Sequence, residues 1–465
     1  MAEPLWTSAD IVAATGGRLA GDGFAATGVS IDTRTLEPGD LFVALAGERD
    51  GSEFVPMALA RGAAGVLANR ETNVATVVVA DTLKALEKLG ATARDRAPQV
   101  RRGAVTGSVG KTSVTQAIRA GLELAGRAHS SVKSYNNHIG VPLTLARMPR
   151  DTERTVFEIG MNHADEITSL VGMVQPHAVA ITTVAQAHIE NFADGEAGVA
   201  RAKAEIFDGL SAGGVAVLNA DNPWFDYLAG AAKAHGAEVR AFGSSETCAA
   251  QLTSFDLEGN GARVKAMLRG KPISFTLRQT GAHWGLMSLA SLLMIEALGA
   301  PLGAGLDALA AFEPLEGRGA ERQVAIAGGV FTLIDESYNA NPVSVAAALR
   351  TVGLRQPAGR RIAVLTDMLE LGKGSGAYHA GLATEIEAAK IDLVFCAGPM
   401  MKCLWEALPP TRQGGYAGTA EALAPSLTQA VEPGDLVMVK GSRDSHAKAL
   451  FEALSSLAPR SGGPG

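Results

Sequence analysis

The sequence predicts an α/β protein of about three domains, and three observations carry that prediction. The chain has 465 residues, enough for roughly three domains of ordinary size. Short apolar runs alternate with helical periodicity along its length, which is the pattern of repeated βαβ units. The stretch Gly103-Ala-Val-Thr-Gly-Ser-Val-Gly-Lys-Thr-Ser113 then reads as strand, glycine turn, Lys-Thr and helix, an arrangement that aims backbone N–H groups and a helix N-terminus at an anion.

Composition narrows the class. Hydrophobic residues make up 47% and charged residues 19%, so sizeable cores are possible. The net charge is −7 and no basic stripe of the nucleic-acid-binding kind is present. An anionic ligand therefore needs local cations. Cys248, Cys396 and Cys403 have no metal-like spacing and read as thiols in a reducing compartment. The first residues lack the basic and apolar regions of a signal peptide, and no apolar run reaches membrane-spanning length. A soluble cytoplasmic protein is expected, without nucleic-acid or membrane partners.

The first domain, residues 1–82, opens with a helix over Thr7–Thr15, capped by Thr7 or Ser8. Strands follow at Val29–Arg34, where the run ends in a turn, and at Leu41–Leu45. Residues 47–51 form a polar loop and Phe54–Gly62 a helix; Gly65–Ala68 and Ala75–Ala80 complete the strands. The second domain, residues 83–313, holds the phosphate loop. Its further strands are Thr155–Glu158, Ala178–Thr182 and Val215–Asn219, each an apolar run ending at a polar residue. Carboxyl ends of parallel strands line the ligand crevice, so Glu158, residues 183–190 and Asn219–Asn222 are expected beside the loop. Residues 251–277 read as antiparallel β around Gly259-Asn-Gly261, and Ala282–Leu298 as an apolar helix. The third domain, residues 314–465, has strands at Phe331–Asp335, Ile362–Thr366, Asp392–Cys396 and Leu436–Val439, followed by a disordered tail Ser461–Gly465.

Within the loop Thr106, Gly107, Ser108, Val109, Gly110, Lys111, Thr112 and Ser113, the lysine supplies a point charge near the outer phosphates and the Thr112 hydroxyl an oxygen for Mg²⁺. The spacing is shorter than the common P-loop, but Gly-Lys-Thr between strand and helix still points to a nucleotide. Glu158 suits a hard cation, or equally a cap or salt bridge. His188 and Lys203 are ambiguous by themselves: a loop histidine is commonly structural, and a plain ammonium binds no metal unless CO₂ converts it to a carbamate. Asn136, Asn137 and His138 form an amide-rich turn suited to a peptide or sugar, or to the turn alone. Asp335 at a strand end, with Asn339 close behind, suits a ribose. Arg318, between two glycines, is placed either to reach phosphate or to lie on the surface.

Together these stretches resemble the Mur ligase family over nearly the whole chain. The carriers are Thr106-Gly-Ser-Val-Gly-Lys-Thr112, Tyr135-Asn-Asn-His-Ile-Gly-Val-Pro142, Glu158-Ile-Gly-Met-Asn-His163, His188, Ala202-Lys-Ala-Glu-Ile-Phe207, Asn219-Ala-Asp-Asn222, Asp335-Glu-Ser-Tyr-Asn-Ala-Asn-Pro342, Asp367-Met-Leu-Glu-Leu-Gly372 and Lys440-Gly-Ser-Arg443. Tyr338-Asn-Ala-Asn-Pro342 and Asn136-Asn-His-Ile-Gly-Val-Pro-Leu-Thr-Leu145 point to the member of the family that joins D-alanyl-D-alanine to UDP-N-acetylmuramoyl-tripeptide. The alternative is another amide ligase of the family, such as the one that adds the third residue. A nucleotide-dependent binding protein is the non-enzymatic reading.

The resemblance implies a UDP-sugar domain, a central ATPase domain and a Rossmann-like C-terminal domain. It implies ATP and Mg²⁺, an acyl phosphate, a role in peptidoglycan synthesis and a monomer. It makes Thr112, Glu158, His188 and a carbamylated Lys203 the magnesium neighbours, and Lys111, Glu158, His188, Lys203 and Arg318 the catalytic set. Asn222, Asp335 and Asn339 fall near the base or ribose. Ser30, Thr33 and Arg34 fall at the uridine nucleotide, with Asn136, Asn137 and His138 at the substrate. The chain departs from the family where Gly281-Ala-His-Trp-Gly-Leu-Met-Ser288 stands for a segment with two asparagines; Trp284 and Met287 replace them, so no adenine contact is transferred there.

Overall fold

The computed structural model describes residues 4–47, 50–131 and 134–457. The expected tail Ser461–Gly465 and part of the expected loop at 47–51 lie outside the described residues. Three α/β units follow one another, each built on its own sheet.

The N-terminal sheet has the strand order Arg18–Ala20, Thr76–Val78, Gly65–Ala68, Asp40–Val43, Gly28–Ser30, with only its first pair antiparallel. The helix Ser8–Thr15 begins at a capping box in which Thr7 accepts from the Asp10 amide and Asp10 accepts from the Thr7 amide. A third helix, Thr82–Asp95, follows the short helix Val55–Ala60 and is capped by Asp81. It buries Ala85, Leu86, Leu89 and Ala93 at helical spacing in a cluster that also takes in Leu143 and Ala146 of the central unit. That apolar seam fastens the first unit to the second. Trp6 adds to it by donating its indole N–H to the Ala146 carbonyl at 2.8 Å.

The central sheet has nine strands. Arg101–Thr106 lies deep within it, between Arg154–Glu158 and Ala178–Ile181, with Val215–Asn219 next and all parallel. The register sets Glu158 against Val105 and Ile181 against Thr106, so the strands end together on one edge. The antiparallel ribbon Ala250–Glu258, Gly261–Leu268 and Lys271–Leu277 extends the far side. Helix Lys111–Ala125 buries Val114, Ala117, Ile118 and Leu122 against the sheet and against helix His283–Ala297. The latter is apolar nearly all round because it is enclosed nearly all round.

The C-terminal sheet runs Ala320–Ile326, Gly329–Glu336, Leu436–Lys440, Arg361–Thr366, Leu393–Ala397, Gln413–Ala417, parallel except for its first pair. At its base Asp435, 1% exposed, accepts from the Arg360 amide, Nε and Nη2 and from the Glu432 amide. Burial alone would raise its pKa; these hydrogen bonds outweigh burial and hold it below the ordinary aspartate value. A carboxylate depressed in this way contributes stability above its unfolded pKa and loses it as the pH falls through the folded one. We therefore expect Asp435→Ala to destabilise the C-terminal unit by about 3 kcal/mol at neutral pH. The gap from wild type should narrow below about pH 4, as read from unfolding midpoints across a pH series. Among the described residues no helix is long and apolar enough to cross a membrane.

Candidate active site

A cavity of about 460 Å³ opens where the carboxyl edge of the central sheet faces the C-terminal unit. One wall is the loop at 108–113. The others bring in Glu158, His188, Arg318, Glu336 and Lys440.

The loop is held from below. Gly107 has φ +148°, and a Cβ there would lie 1.9 Å from Thr182 Oγ1, so only glycine lets the turn close over the next strand. The Ser108 amide donates to the Thr183 carbonyl at 2.8 Å, and Ser108 Oγ and Ala185 exchange hydrogen bonds at 3.0 and 2.9 Å. Thr182 Oγ1 donates to the Val109 carbonyl at 2.5 Å, and Lys111 Nζ donates to Gly107 O at 2.8 Å. Gly110 enters the helix with φ +85° above the Met287 sulfur. Thr106 is buried beneath the loop. Thr112 Oγ1 lies 3.0 Å from Ser134 Oγ, and Ser113 reaches the cavity from the first helical turn.

Two buried groups beside the loop are chemically incomplete. Glu158 is 2% exposed; its Oε1 accepts from Asn136 Nδ2 at 2.7 Å, while its Oε2 has no partner among the described residues. A buried carboxylate oxygen without a donor is costly, and a cation would complete it. Lys203, on helix Glu196–Ala204, is also 2% exposed and has no acidic partner among the described residues. Burial, reinforced by the Lys111 charge and partly offset by Glu205, drives its pKa well below the ordinary lysine value, which favours the neutral amine. Lys111 is likewise lowered by burial, with Glu158 opposing and the Arg318 charge adding to the fall. Among the described residues no three His, Cys, Asp or Glu side chains gather to hold a metal by themselves.

His188 lines the cavity from a left-handed backbone position, φ +59°. Its Nδ1 meets the Glu370 carboxylate of the C-terminal unit. Burial lowers its pKa; Glu370 opposes this, while Lys111 and Lys203 add to it. From the C-terminal side, Glu336 pairs with Lys440 at 3.1 Å, Lys440 also donates to Asn339 O, and Asn339 borders the cavity. Arg318 sits with its guanidinium 3.9 Å over the Tyr338 ring.

Several expected residues lie off the cavity. Asp335 is 1% exposed and accepts from the Gly317 amide and from the Ser337 amide and hydroxyl. It clamps a turn, and the acid that faces the cavity is its neighbour Glu336. Asn222 does not line the cavity: its Nδ2 donates to Thr183 Oγ1 and the Val184 carbonyl, both at 2.9 Å, staking down the segment before His188. Asn137 Oδ1 accepts from the Ile139 and Gly140 amides at the start of helix Gly140–Ala146, and His138 is exposed beside it. Of the amide turn only Asn136 borders the cavity. Ser30, Thr33 and Arg34 sit apart in the first unit. Ser30 closes its own turn onto Asp32, Thr33 is buried against Met57, and Arg34 is exposed and paired with Asp32 at 2.7 Å.

Sequence reasoning did not assign Glu336, the His188 partner Glu370, or Leu286, Val343 and Ala347, which line the cavity together with Trp284 and Met287. Glu336 could have been found from strand alternation, since neighbours on a strand point to opposite faces. Glu370 could not, because it arrives from a different sheet.

Known proteins resemble this chain in sequence and in fold. Family models match residues 25–108 as "Mur ligase family, catalytic domain", 105–295 as "Mur ligase middle domain" and 322–443 as "Mur ligase, glutamate ligase domain". The UDP-N-acetylmuramoyl-tripeptide–D-alanyl-D-alanine ligase of Escherichia coli is 34% identical over 454 residues, covering 94% of this chain and 96% of that one. Its counterpart from Bacillus subtilis is 32% identical, covering 92% and 93%. The crystal structure of MurF from Acinetobacter baumannii superposes with a TM-score of 0.84 at 28% identity, covering 98% of this chain and 99% of that one. With three adjoining domain models matched and relatives at this identity across almost its whole length, the chain belongs to the Mur ligase family.

Proposed function

We propose that the chain is an ATP-dependent ligase that joins D-alanyl-D-alanine to UDP-N-acetylmuramoyl-tripeptide, giving the UDP-linked pentapeptide for peptidoglycan synthesis. The observation that carries the reading is the meeting, in one cavity, of a phosphate loop with Lys111, an incomplete Glu158 carboxylate and Arg318 from the C-terminal unit. The name shared by the full-length relatives supports the substrates.

The terminal carboxylate of the tripeptide attacks the γ-phosphorus of ATP; the O–P bond forms and ADP leaves. Lys111 and Arg318 take up charge on the transferring oxygens, since phosphoryl transfer depends on positioning and electrostatics. The neutral amine of D-alanyl-D-alanine then attacks the acyl phosphate carbon. A C–N bond forms, phosphate leaves, and the proton lost by nitrogen passes to solvent. The orphaned Glu158 oxygen and the Thr112 hydroxyl would hold one Mg²⁺. His188 and Lys203 would hold a second once Lys203, neutral and buried, has taken up CO₂ as a carbamate with loss of a proton. When bound, these ions neutralise phosphate charge.

In this reading the first unit takes the uridine nucleotide around Ser30, Thr33 and Arg34, with the amide turn at Asn136 carrying the peptide toward the cavity. The enzyme works in the cytoplasm as a monomer. Phosphate release tests the assignment. Release from ATP and Mg²⁺ is expected only with both UDP-MurNAc-tripeptide and D-alanyl-D-alanine present. Release driven by a different amine or carboxylate, with none from this pair, would overturn it.

A further inference from the structure

The segment joining the central and C-terminal units is fastened in two halves. Upstream, the Phe312 carbonyl accepts from Gln279 Nε2 at 2.7 Å, the Phe312 ring packs on Trp284 with centroids 5.7 Å apart, and Glu313 meets Arg278. All three partners belong to the central unit. Downstream, Glu316 pairs with Lys448 at 3.1 Å, and the Gly317 amide donates to Asp335 Oδ2 at 2.9 Å. The Gly319 amide donates to the Asp335 carbonyl at 2.8 Å, and the Tyr338 amide to the Gly317 carbonyl at 3.2 Å. These partners belong to the C-terminal unit. The chain changes sides between Glu313 and Glu316, so Arg318 belongs mechanically to the C-terminal unit although it lines the same cavity as Lys111 of the phosphate loop.

What sets the direction of Arg318 is Tyr338. The Arg318 guanidinium lies 3.9 Å over its ring. Arg318 lies between Gly317 at φ +72° and Gly319 at φ +97°. A Cβ on Gly317 would come within 2.9 Å of the Tyr338 Cβ, so this close approach requires glycine. Arg318 has no carboxylate partner among the described ion pairs, which leaves the ring as the side-chain contact that orients it. An aromatic face orients a guanidinium without neutralising it, which is what a cation meant for phosphate needs; a carboxylate partner would cancel it.

We propose that Tyr338 is a positioning residue that acts through Arg318: its ring holds the guanidinium at the mouth of the phosphate loop, and the Asp335-clamped turn makes the pair travel with the C-terminal unit. The proposal rests on the ligase reading above. It predicts a cation presented to the outer phosphates only when the C-terminal unit is docked, which ties phosphoryl transfer to the closed enzyme.

The test is steady-state kinetics of phosphate release with both substrates. Tyr338→Leu should lower kcat by roughly fivefold, the upper size expected of a solvent-exposed cation–π contact, with KM for ATP within about twofold of wild type. Tyr338→Phe keeps the ring face and should remain within about twofold of wild type. In an Arg318→Ala background, Tyr338→Leu should cause no further loss, because a residue acting through Arg318 has nothing left to position. The ring is 38% exposed, so the leucine leaves the core untouched; should it fail to fold, Tyr338→Gln carries the same comparison. An undiminished loss in the Arg318→Ala background would overturn the proposal. So would a defect in Tyr338→Phe equal to that of Tyr338→Leu, or a loss expressed only in KM for ATP. A wild-type chain that makes no pentapeptide would instead sink the ligase reading on which the proposal stands.

Discussion

Lys203→Ala should lower kcat by about a thousandfold, the upper range for losing one preorganised electrostatic group in a closed site, and short carboxylic acids should restore part of the loss. The argument starts from burial. An ammonium at 2% exposure with no acidic partner among the described residues is costly, and the Lys111 charge nearby makes it more so. Burial and the Lys111 charge both favour the neutral amine. A neutral amine is the form that adds CO₂, and the resulting carbamate supplies the anionic oxygens that Glu158 and His188 alone do not provide. Acetate or formate entering the space left by the alanine would mimic that carbamate. Activity assays with and without these acids check the prediction. A near-normal alanine variant, or one that no acid restores, would count against a carbamate.

Lys111→Ala should be as damaging, again by about a thousandfold in kcat, but without rescue by carboxylates. Lys111 Nζ is held on the Gly107 carbonyl, so the charge is in place before any ligand arrives and little reorganisation is needed. It shares the cavity with Glu158 and Arg318; the carboxylate raises its proton affinity and the guanidinium lowers it. Lys111→Arg should rescue poorly, since a planar fork cannot occupy the site of a compact ammonium. Kinetics with varied ATP separate the two contributions: loss concentrated in kcat is expected, and loss confined to KM would mean that Lys111 serves only nucleotide binding.

Much of this architecture is legible in the sequence. Buried parallel strands announce themselves as continuous apolar runs, and the polar residue ending each run marks the crevice; Glu158 and Asn219 both border the cavity as that logic requires. The phosphate loop was legible because its glycines answer to local backbone geometry, as the contact at Gly107 makes plain. What could not be read was the use of each side chain at a strand end. Asp335 and Glu336 are neighbours of similar chemistry, yet one is buried in a turn and the other faces the cavity, a choice set by strand phase and by where the linker crosses. Asn222 and Asn137 look like ligand amides in sequence, and in the structure they hold backbone carbonyls and amides. Pairings between units, such as His188 with Glu370 or Arg318 with Tyr338, depend on how separate sheets dock and leave no periodicity to find.

The central claim is that the tripeptide carboxylate, not water, accepts the phosphoryl group of ATP. The most direct measurement uses UDP-MurNAc-tripeptide labelled with ¹⁸O in its terminal carboxylate and follows the label by mass spectrometry during turnover with ATP, Mg²⁺ and D-alanyl-D-alanine. The account predicts one carboxylate oxygen transferred to each phosphate released, together with a UDP-linked pentapeptide. Unlabelled phosphate would show that water, not the tripeptide, accepts the phosphoryl group, and would contradict the account.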